Sequence, residues 1–395
     1  MPLYHSKLIY TASSADPLYD HVISTEEDGT ILDIRPYADI EREAAVQMLP
    51  GIIVPGFINA HCHLELSHMR GMIPTGTGLV EFIRQVVTRR GAEAAHIAAH
   101  IAEADNEMYR QGIVAVGDIS NVSDSFEQKG RSDLRYNTFV EAFDLMQPDN
   151  ATAEFEKSNQ IFEALHCKKG DYKSIVPHAT YSVSDPLFRL IRAHQAPGGT
   201  ASIHHQETEA ENQFIASKSG SLVSFFLSFG LNLDQYHAHG LLASSVPIKA
   251  MSETQRTLLV HNTMSTAEDI QAIEDWNKNV YWVTCPNANL YIENRMPKYQ
   301  YWLDTPTKMC IGTDSLASNW QLSILEEIKT IQKYQSYVPF NELIKWGTIN
   351  GAEALGMEDR LGSIEIGKKP GLVHVYPFDE HKSMFLPDSR ATRLI

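Results

Sequence analysis

The stretch Pro55-Gly56-Phe57-Ile58-Asn59-Ala60-His61-Cys62-His63 places two histidines two positions apart, where an apolar run ends. In an extended strand successive side chains point to opposite faces, so His61 and His63 share one face and Cys62 takes the other. Two neutral imidazoles on one face provide half of a transition-metal site. An isolated His-x-His also occurs at strand exits without binding anything. The rest of the chain therefore decides whether a metal site is present.

Apolar runs like this one recur along the chain and alternate with segments of helical periodicity. The runs span residues 51–60, 112–118, 136–143, 174–178, 201–205, 257–261, 280–285 and 308–314. Eight repeated βα units predict an α/β fold, and the natural arrangement is a closed (β/α)8 TIM barrel of parallel strands. In such a barrel the functional side chains lie where the strands end.

The two ends of the chain have a different pattern. Residues 1–54 alternate short apolar runs with Asp/Gly turns such as Glu27-Asp28-Gly29, and a similar pattern returns after Gly362. This pattern is typical of short antiparallel strands. We therefore expect a small β domain built from residues 1–54 and 363–395, and a barrel over residues 55–362.

Composition restricts the class of partner. The chain of 395 residues is 43% hydrophobic and 21% charged, which is ordinary for a globular protein. Its formal net charge of −16 disfavours nucleic acids and anionic membranes as partners, because the mean field repels both. The cysteines are scattered without a Cys-x-x-Cys pair, and the sequence shows neither a signal-like N-terminus nor an apolar run of about 18 residues. We expect a cytoplasmic protein that binds a small molecule.

Histidines and acidic residues stand at or just after the ends of later runs, namely His178, His204, Glu207, His261 and Asp314. Each histidine alone could be a hydrogen-bonded core residue. Together, three imidazoles and one carboxylate can hold Zn²⁺ and leave a position for water, whose pKa falls to about 7 when bound. Asp314 can accept the proton of that water, and Glu207 can carry it to a substrate ring nitrogen. His261 can stabilise the negative charge that develops.

The order of these motifs resembles the amidohydrolase superfamily, and within it the branch of cytosine, guanine and S-adenosylhomocysteine deaminases and chlorohydrolases. The motifs are His-x-His, His-x-x-Glu-Thr from His204, an apolar run ending in His261-Asn262, Cys-Pro-Asn-Ala-Asn from Cys285, and Gly-Thr-Asp-Ser-Leu-Ala-Ser-Asn from Gly312. The resemblance extends from Gly51 to Gly371. It implies a (β/α)8 barrel with a small β-sandwich domain built from both termini.

The resemblance also implies roles for individual residues. It implies four metal ligands, His61, His63, His204 and Asp314. It implies that Glu207 shuttles a proton and that His261 positions hydroxide, with Asp314 also taking part in catalysis. No lysine stands at the end of the fourth predicted strand, where binuclear members of the superfamily carry a bridging carbamylated lysine. One divalent ion, Zn²⁺ or Fe²⁺, is therefore expected.

Three residues are candidate substrate contacts. His178 lies in a Pro-His-x-x-Tyr motif that resembles a substrate-contacting segment of the family. Glu65 belongs to residues 64–67, Leu-Glu-Leu-Ser, which resemble a variation in aminodeoxyfutalosine deaminases. It is either a substrate contact or an exposed loop carboxylate. Asn319 is the third candidate, and its place in the loop after Asp314 also allows it to orient that carboxylate.

Other histidines are weaker candidates. A second His-x-His, formed by His237 and His239, follows no apolar strand and could contribute only from the rim of a pocket. His96 and His100 are four positions apart on a predicted helix, but the sequence lacks the zincin glutamate between them. His205 should point away from the metal because side chains alternate along a strand.

The sequence therefore predicts a metal-dependent deaminase that releases ammonia from an amino-substituted nitrogen heterocycle. Substrates of this kind are purine or pyrimidine bases and nucleosides of the adenosine or aminodeoxyfutalosine type. Two alternatives stay open, a chlorohydrolase or other C–N hydrolase of the same superfamily, and a catalytically silent metal-binding scaffold. A homodimer is compatible with the sequence.

Overall fold

The apolar runs that alternate with helical segments form strands in the computed structural model, which describes residues 1–41, 45–196, 198–238 and 240–395. The strands in these ranges are β1 (Leu3–Ile9), β2 (Leu18–Thr25), β3 (Ile31–Pro36), β4 (Gln47–Pro55), β5 (Phe57–Cys62), β6 (Ile113–Ser120), β7 (Arg135–Ala142), β8 (Tyr172–Pro177), β9 (Thr200–His205), β10 (Arg256–His261), β11 (Val280–Thr284), β12 (Met309–Ile311), β13 (Leu372–Asp379) and β14 (Met384–Arg393). The α-helices are α1 (Leu79–Arg89), α2 (Ala94–Arg110), α3 (Phe126–Arg131), α4 (Ala151–Ala164), α5 (Asp185–His194), α6 (Glu209–Ser217), α7 (Ser221–Ser228), α8 (Ser245–Ala250), α9 (Ala267–Trp276), α10 (Pro286–Glu293), α11 (Gln300–Leu303), α12 (Ile324–Tyr334), α13 (Phe340–Trp346) and α14 (Ile349–Leu355). None of these described helices combines the length and apolar character needed to cross a membrane.

Two sheets of four parallel strands form the centre of the fold. Their orders are β5-β6-β7-β8 and β9-β10-β11-β12. Every residue of β5, β6 and β9 is buried, as expected for parallel strands that are covered on both faces. Parallel neighbours require long crossover connections, and the helices between the strands provide them. The mixed α/β fold and its parallel strands are confirmed.

The two parallel sheets contact each other at both pairs of outer strands. After β8, Ala179 forms a parallel bridge with His204 of β9, and the His204 amide donates to the His178 carbonyl at 2.9 Å. At the other side, Cys62 of β5 forms a parallel bridge with Asp314, just after β12. The carboxyl ends of all these strands therefore meet in one region.

Strands from both ends of the chain make up a third sheet. Its order is β14-β13-β4-β1-β2-β3, in which β1 and β4 are parallel and the other pairs are antiparallel. Ile9, Ile23, Ile53 and Leu372 pack together on one face of it and are buried. The short apolar runs between Asp/Gly turns are thus strands, as predicted.

The prediction of one continuous strand over residues 51–60 is wrong. The chain leaves β4 at Pro55 and starts β5 at Phe57, so the apolar run supplies two different sheets. Gly56 makes the junction, and its amide donates to the carbonyl of Gly371 at 3.2 Å. A side chain at this position would meet Val114, because a Cβ atom built there lies 2.3 Å from a Val114 methyl carbon.

Candidate active site

Three imidazoles converge where the parallel strands end. His61 is on β5, His63 follows it, and His204 is on β9. The Nε2 atoms of His61 and His63 are 3.2 Å apart, and those of His63 and His204 are 3.4 Å apart. Nitrogen ligands at about 2.0–2.1 Å from a tetrahedral zinc lie about 3.3 Å from one another. The spacing of these three atoms therefore fits one transition-metal ion.

Asp314 completes this cluster from the segment after β12. Its Oδ1 atom is 3.5 Å from Nε2 of His63 and 3.9 Å from Nε2 of His61. Ser318 Oγ donates to the other carboxylate oxygen at 2.7 Å, which leaves Oδ1 directed at the imidazoles. The backbone of Asp314 has a φ of 56°, a conformation that non-glycine residues rarely adopt and that often marks functional sites. Its amide is held by the His61 carbonyl at 3.1 Å.

Burial favours the neutral form of two of the clustered imidazoles, those of His61 and His204. It lowers the pKa of His61 and of His204 well below the usual value, and neighbouring histidines add to this effect. Neutral imidazoles present lone pairs, and lone pairs that face one another repel unless a cation lies between them. Among the described residues, Nδ1 of His61 has no hydrogen-bond partner. Three imidazole nitrogens and one carboxylate oxygen are a donor set suited to a divalent transition metal.

His204 is oriented by its second ring nitrogen. Its Nδ1 donates to the carbonyl of His178 at 2.7 Å, and Glu141 Oε1 lies 3.3 Å from the same nitrogen. A proton on Nδ1 leaves the Nε2 lone pair free for a cation. Burial raises the pKa of Glu141 well above its usual value, although Asn121 donates to this carboxylate at 3.0 Å. Sequence reasoning missed Glu141, and its signal was an acidic residue near the carboxyl end of an apolar run.

Glu207 and His261 face each other on a second side of the cluster. Glu207 Oε1 is 3.6 Å from His261 Nε2. The other nitrogen of His261 bonds to Asn289 Oδ1 at 2.9 Å, so Nδ1 carries the proton in this arrangement. Burial raises the pKa of Glu207 well above its usual value, and the charge of Asp314 raises it further. Glu207 can therefore hold a proton near neutral pH and deliver it.

A buried carboxylate positions the turn that carries Glu207. Glu211 accepts hydrogen bonds from the backbone amides of Gln206 at 3.0 Å and Glu207 at 2.8 Å, and a third from the Thr180 hydroxyl. Burial raises the pKa of Glu211 to about 7. Glu211 is a second residue that sequence reasoning missed, because its partners are backbone groups that leave no motif.

A cavity of about 410 Å³ opens beside the cluster, within the size range of small-molecule sites. Its lining includes His63, His204, Glu207, His261 and Asp314. The remaining wall is largely apolar. The structure thus brings three of the four predicted metal ligands and the predicted proton-transfer groups to a single cavity, while His61 is not among its described lining residues and contacts His63 at 3.2 Å.

Two of the predicted substrate contacts also line this cavity. His178 bonds through Nδ1 to the Ser182 hydroxyl at 2.8 Å, and burial lowers its pKa to about 3. Glu65 is 1% exposed, so the alternative of an exposed loop carboxylate is wrong. One oxygen of Glu65 accepts from Arg90 at 3.1 Å, and the other accepts from the Asn121 amide at 2.9 Å. Burial raises the pKa of Glu65, and the charge of Arg90 opposes this.

Asn319 is not brought to the cavity wall as the structure describes it. Its side-chain amide donates to the Thr313 carbonyl and to Glu327, each at 2.8 Å. Its carbonyl oxygen accepts from the Trp320 amide at 2.7 Å. The position of Asn319 therefore supports bracing of the loop that presents Asp314, and it offers no support for a substrate contact.

The other histidines lie apart from the cluster. His205 is buried and bonds to Asn262 at 2.9 Å. His96 and His100 pack against each other on α2, with ring centroids 4.3 Å apart. His237 is exposed and is not among the described residues of the cavity wall, and His239 lies outside the described residues.

Comparisons with known proteins agree with this geometry. A model of the amidohydrolase family matches residues 52–390. An adenosine deaminase of Helicobacter pylori is 26% identical over 334 residues, which cover 83% of this chain and 80% of that protein. The solved structure of Helicobacter pylori aminofutalosine deaminase in complex with methylthio-coformycin has a TM-score of 0.83 at 22% identity and covers 100% of both chains. An adenosine deaminase from Xanthomonas campestris with bound zinc has a TM-score of 0.70 at 23% identity, covering 94% of this chain and 84% of that one.

Proposed function

The chain belongs to the amidohydrolase family, and from this premise we propose that it is a metal-dependent deaminase of a nucleoside-like, amino-substituted nitrogen heterocycle. The proposal rests on one observation: a cluster of metal-ligand candidates and a buried acid lie at the same cavity. A cluster of three imidazoles and Asp314 suits a divalent cation, and the buried acid Glu207 lies beside it. Hydrolytic deamination needs both, an activated water and a proton donor for the ring.

We propose that the two parallel sheets form one closed (β/α)8 barrel over residues 55–362. The bridges Ala179–His204 and Cys62–Asp314 at both pairs of outer strands support closure. Residues 1–54 and 363–395 then form a separate small β domain around the six-stranded sheet. A barrel of this kind would place every strand end on the face that carries the cavity.

We propose that His61, His63, His204 and Asp314 hold one divalent ion, Zn²⁺ or Fe²⁺. Such an ion, when bound, lowers the pKa of a coordinated water to about 7. The separations of 3.2 and 3.4 Å between the Nε2 atoms and the neutral state of the buried imidazoles support this assignment.

The protein's own groups then move the protons of the reaction. Asp314 accepts a proton from the attacking water through Oδ1, while Ser318 keeps its other oxygen in place. Glu207 donates a proton to the ring nitrogen next to the attacked carbon. His261, held through Nδ1 by Asn289, directs the lone pair of Nε2 at the attacking water and orients it by accepting a hydrogen bond. Asp314 passes the proton that it took from water to the amino group, the C–N bond breaks, and ammonia leaves. The remaining hydroxyl returns its proton to Glu207, so the ring keeps a carbonyl oxygen from water.

His178 and Glu65 are the proposed polar contacts of the substrate. Both line the cavity, and each is already fixed by a hydrogen bond, His178 to Ser182 and Glu65 to Arg90. Groups held in this way meet a ligand with little loss of side-chain entropy.

The test is a screen for ammonia release by metal-replete protein. Adenine nucleosides, amino-purine and amino-pyrimidine bases, and amino- and chloro-triazines are incubated separately with the protein. Ammonia from an adenine nucleoside is the expected result. Chloride from a chlorotriazine, without ammonia from any compound, would show a chlorohydrolase instead. A protein that retains no metal after purification and reconstitution would contradict the proposal and favour a scaffold.

A further inference from the structure

A buried ion pair joins β6 to α3, outside the cavity. Asp118 of β6 is 0% exposed, Lys129 of α3 is 3% exposed, and Oδ2 of the carboxylate lies 2.6 Å from the Lys129 ammonium. The ammonium also donates to the hydroxyls of Ser120 at 2.9 Å and Thr138 at 3.2 Å, so each of its three N–H groups has an acceptor. None of these four residues is among the described residues that line the cavity. The proposed mechanism therefore does not use this pair.

Two charges inside the fold need an explanation. Taking a carboxylate and an ammonium out of water costs free energy, and apolar side chains of similar volume often give equal or greater stability. Stability alone is therefore a weak reason for the pair between Asp118 and Lys129. The second oxygen of Asp118, which Lys129 does not contact, indicates another role.

Oδ1 of Asp118 binds the backbone next to a proposed metal ligand. It accepts a hydrogen bond from the Leu64 amide at 2.8 Å. That amide belongs to the peptide group between His63 and Leu64, so the bond acts directly on the backbone of His63. His63 lies one residue beyond the end of β5 and precedes the short 3₁₀ helix Leu64–Met69, every residue of which is buried. The strand alone therefore does not extend to His63.

The same short helix is attached to the end of β6 at a second point. Glu65 Oε2 accepts from the amides of Asn121 at 2.9 Å and Val122 at 3.1 Å, the two residues that follow β6. One bond thus runs from the segment after His63 to a carboxylate of β6, and two run from the backbone after β6 to a carboxylate of that segment. The position of His63 relative to the parallel strands depends on β6, and through Lys129 on α3.

We propose that Asp118 is a positioning residue for the metal site, which holds the backbone of His63 so that its Nε2 atom stays 3.2 Å from that of His61. Lys129 orients the Asp118 carboxylate for this purpose. The inference rests on the proposed function, since it takes His63 to be a metal ligand. The essential group is one acceptor oxygen at the Leu64 amide, and the charge of Asp118 only balances that of Lys129.

The test compares two double variants that differ in this acceptor. Asp118→Asn with Lys129→Met removes both charges and keeps a side-chain oxygen for the Leu64 amide. Asp118→Leu with Lys129→Met removes both charges and the oxygen, with a side chain of similar size. Neither variant leaves an unpaired charge in the interior, which would be strongly destabilising.

The dissociation constant for Zn²⁺ is measured by competition with a chelator, on proteins that circular dichroism shows to be folded. We expect the Asn variant to stay near the wild-type value. The dissociation constant of the Leu variant should rise about 10- to 100-fold, the usual effect of removing a group that orients a metal ligand. Equal affinity in the two double variants, whether lowered or unchanged, would overturn the inference.

Asp105→Asn is the matched control for the loss of a buried acid in this region. Asp105 of α2 is 3% exposed and accepts from Gln128 at 2.8 Å and Ser132 at 2.7 Å, and none of its hydrogen bonds to described residues reaches Leu64–Met69. This variant should be less stable in urea, with unchanged affinity for Zn²⁺. An affinity loss as large as in the Leu variant would overturn the role of Asp118, because metal binding would then respond to any destabilisation nearby.

The wild-type protein separates this inference from the proposed function. Failure of wild-type protein to bind Zn²⁺ or Fe²⁺ would reject the proposed metal site, and the inference with it. Equal Zn²⁺ affinity in wild-type protein and all three variants would keep the metal site and reject only the role of Asp118.

Discussion

His204 uses its two ring nitrogens for different purposes. Nε2 lies in the cluster, 3.4 Å from Nε2 of His63, while Nδ1 donates to the carbonyl of His178. The donor bond fixes both the tautomer and the plane of the ring, so the lone pair is aimed before any ion binds. His261 follows the same rule through Asn289. Preorganisation in this site therefore depends on backbone and amide acceptors behind the imidazoles.

Replacing Glu207 by Gln should abolish turnover and leave metal binding intact. Gln has nearly the same shape but cannot hold the proton that the raised pKa of Glu207 keeps available. Loss of a general acid–base group costs about 10²- to 10⁴-fold in kcat. Ammonia release and metal content are measured on the same preparation. The control is Glu209→Gln, an exposed neighbour, and full activity in Glu207→Gln would remove Glu207 from the mechanism.

The proposed ligands and acids of this site could be singled out individually from sequence because each stands at the end of an apolar run or in an ordered motif. Glu141 also stands near the end of an apolar run, but its contact with His204 could not be predicted, since His204 belongs to a distant strand. Glu211 was missed for a related reason, because its carboxylate binds backbone amides, which every residue has. Asn319 was expected to touch substrate, yet its amide is used by the loop around it.

At the scale of elements, α12 is tied to the loop after Asp314 by one buried acid. Glu327 of α12 accepts from the Asn287 amide at 2.8 Å, from the Asn287 side chain at 3.0 Å and from the Asn319 side chain at 2.8 Å. Asn287 lies in the first turn of α10. The carboxylate therefore joins two helices and the segment that presents a metal-ligand candidate.

Stability should fall with rising pH because of this acid. Burial raises the pKa of Glu327 to about 8, against about 4.3 in an unfolded chain. Between these values the folded state holds the extra proton, so the free energy of unfolding decreases as pH rises, by at most about 1.4 kcal/mol per pH unit for this group. Urea unfolding of wild-type protein and Glu327→Gln at pH 5, 6, 7 and 8 measures the slope.

The decrease in the free energy of unfolding per pH unit should be smaller in Glu327→Gln than in wild-type protein, whatever the variant's absolute stability. Other buried acids, Glu141, Glu207 and Glu211, keep part of the dependence because burial raises their pKa values too. Glu326→Gln is the control, since Glu326 is on the same helix, pairs with Lys329 at the surface and undergoes the same change of charge. Identical slopes in wild-type protein and Glu327→Gln would contradict this reading of Glu327.

Elements with strong local patterns were predictable, whereas their arrangement was not. The parallel strands follow from apolar runs and the helices from periodicity. The Pro55-Gly56 pair inside the apolar run of residues 51–60 is a local turn signal. That the break passes the chain from one sheet to another depends on contacts of Gly56 with Val114 and Gly371, which the sequence does not show. The facing of α1 and α7 likewise depends on tertiary packing between distant segments.

At the scale of the whole molecule, Gly56 joins the six-stranded sheet to the parallel strands. A Cβ atom there would lie 2.3 Å from Val114 Cγ1 and 2.5 Å from the Pro370 carbonyl oxygen. Gly56→Ala should lower the free energy of unfolding by about 1–3 kcal/mol, as overpacking does. The control Gly91→Ala adds a methyl group in open space and should stay within about 0.5 kcal/mol. Equal stability of the two variants in urea would contradict this account of the junction.

The four proposed ligands come from both parallel sheets, so a bound ion would link the first, fifth and last strands of the series. Removal of the ion by a chelator should lower the free energy of unfolding, by about 4 kcal/mol relative to protein with free metal at 1,000 times its Kd. Calorimetric melting with and without chelator measures the change, and added Zn²⁺ should reverse it. His204→Asn should respond far less, and an equal response in both proteins would place the ion elsewhere.

The cavity wall away from the cluster comes from two helices, α1 with Leu79 and Phe82 and α7 with Phe225. The proposed ligands come instead from the ends of the parallel strands. The apolar side chains on the two helices can be exchanged by mutation while the chemistry of the cluster is inherited unchanged. Gene duplicates of such a protein would then diverge in substrate preference through a few codons in two helices, and a laboratory library confined to those codons should yield new specificities without losing the reaction.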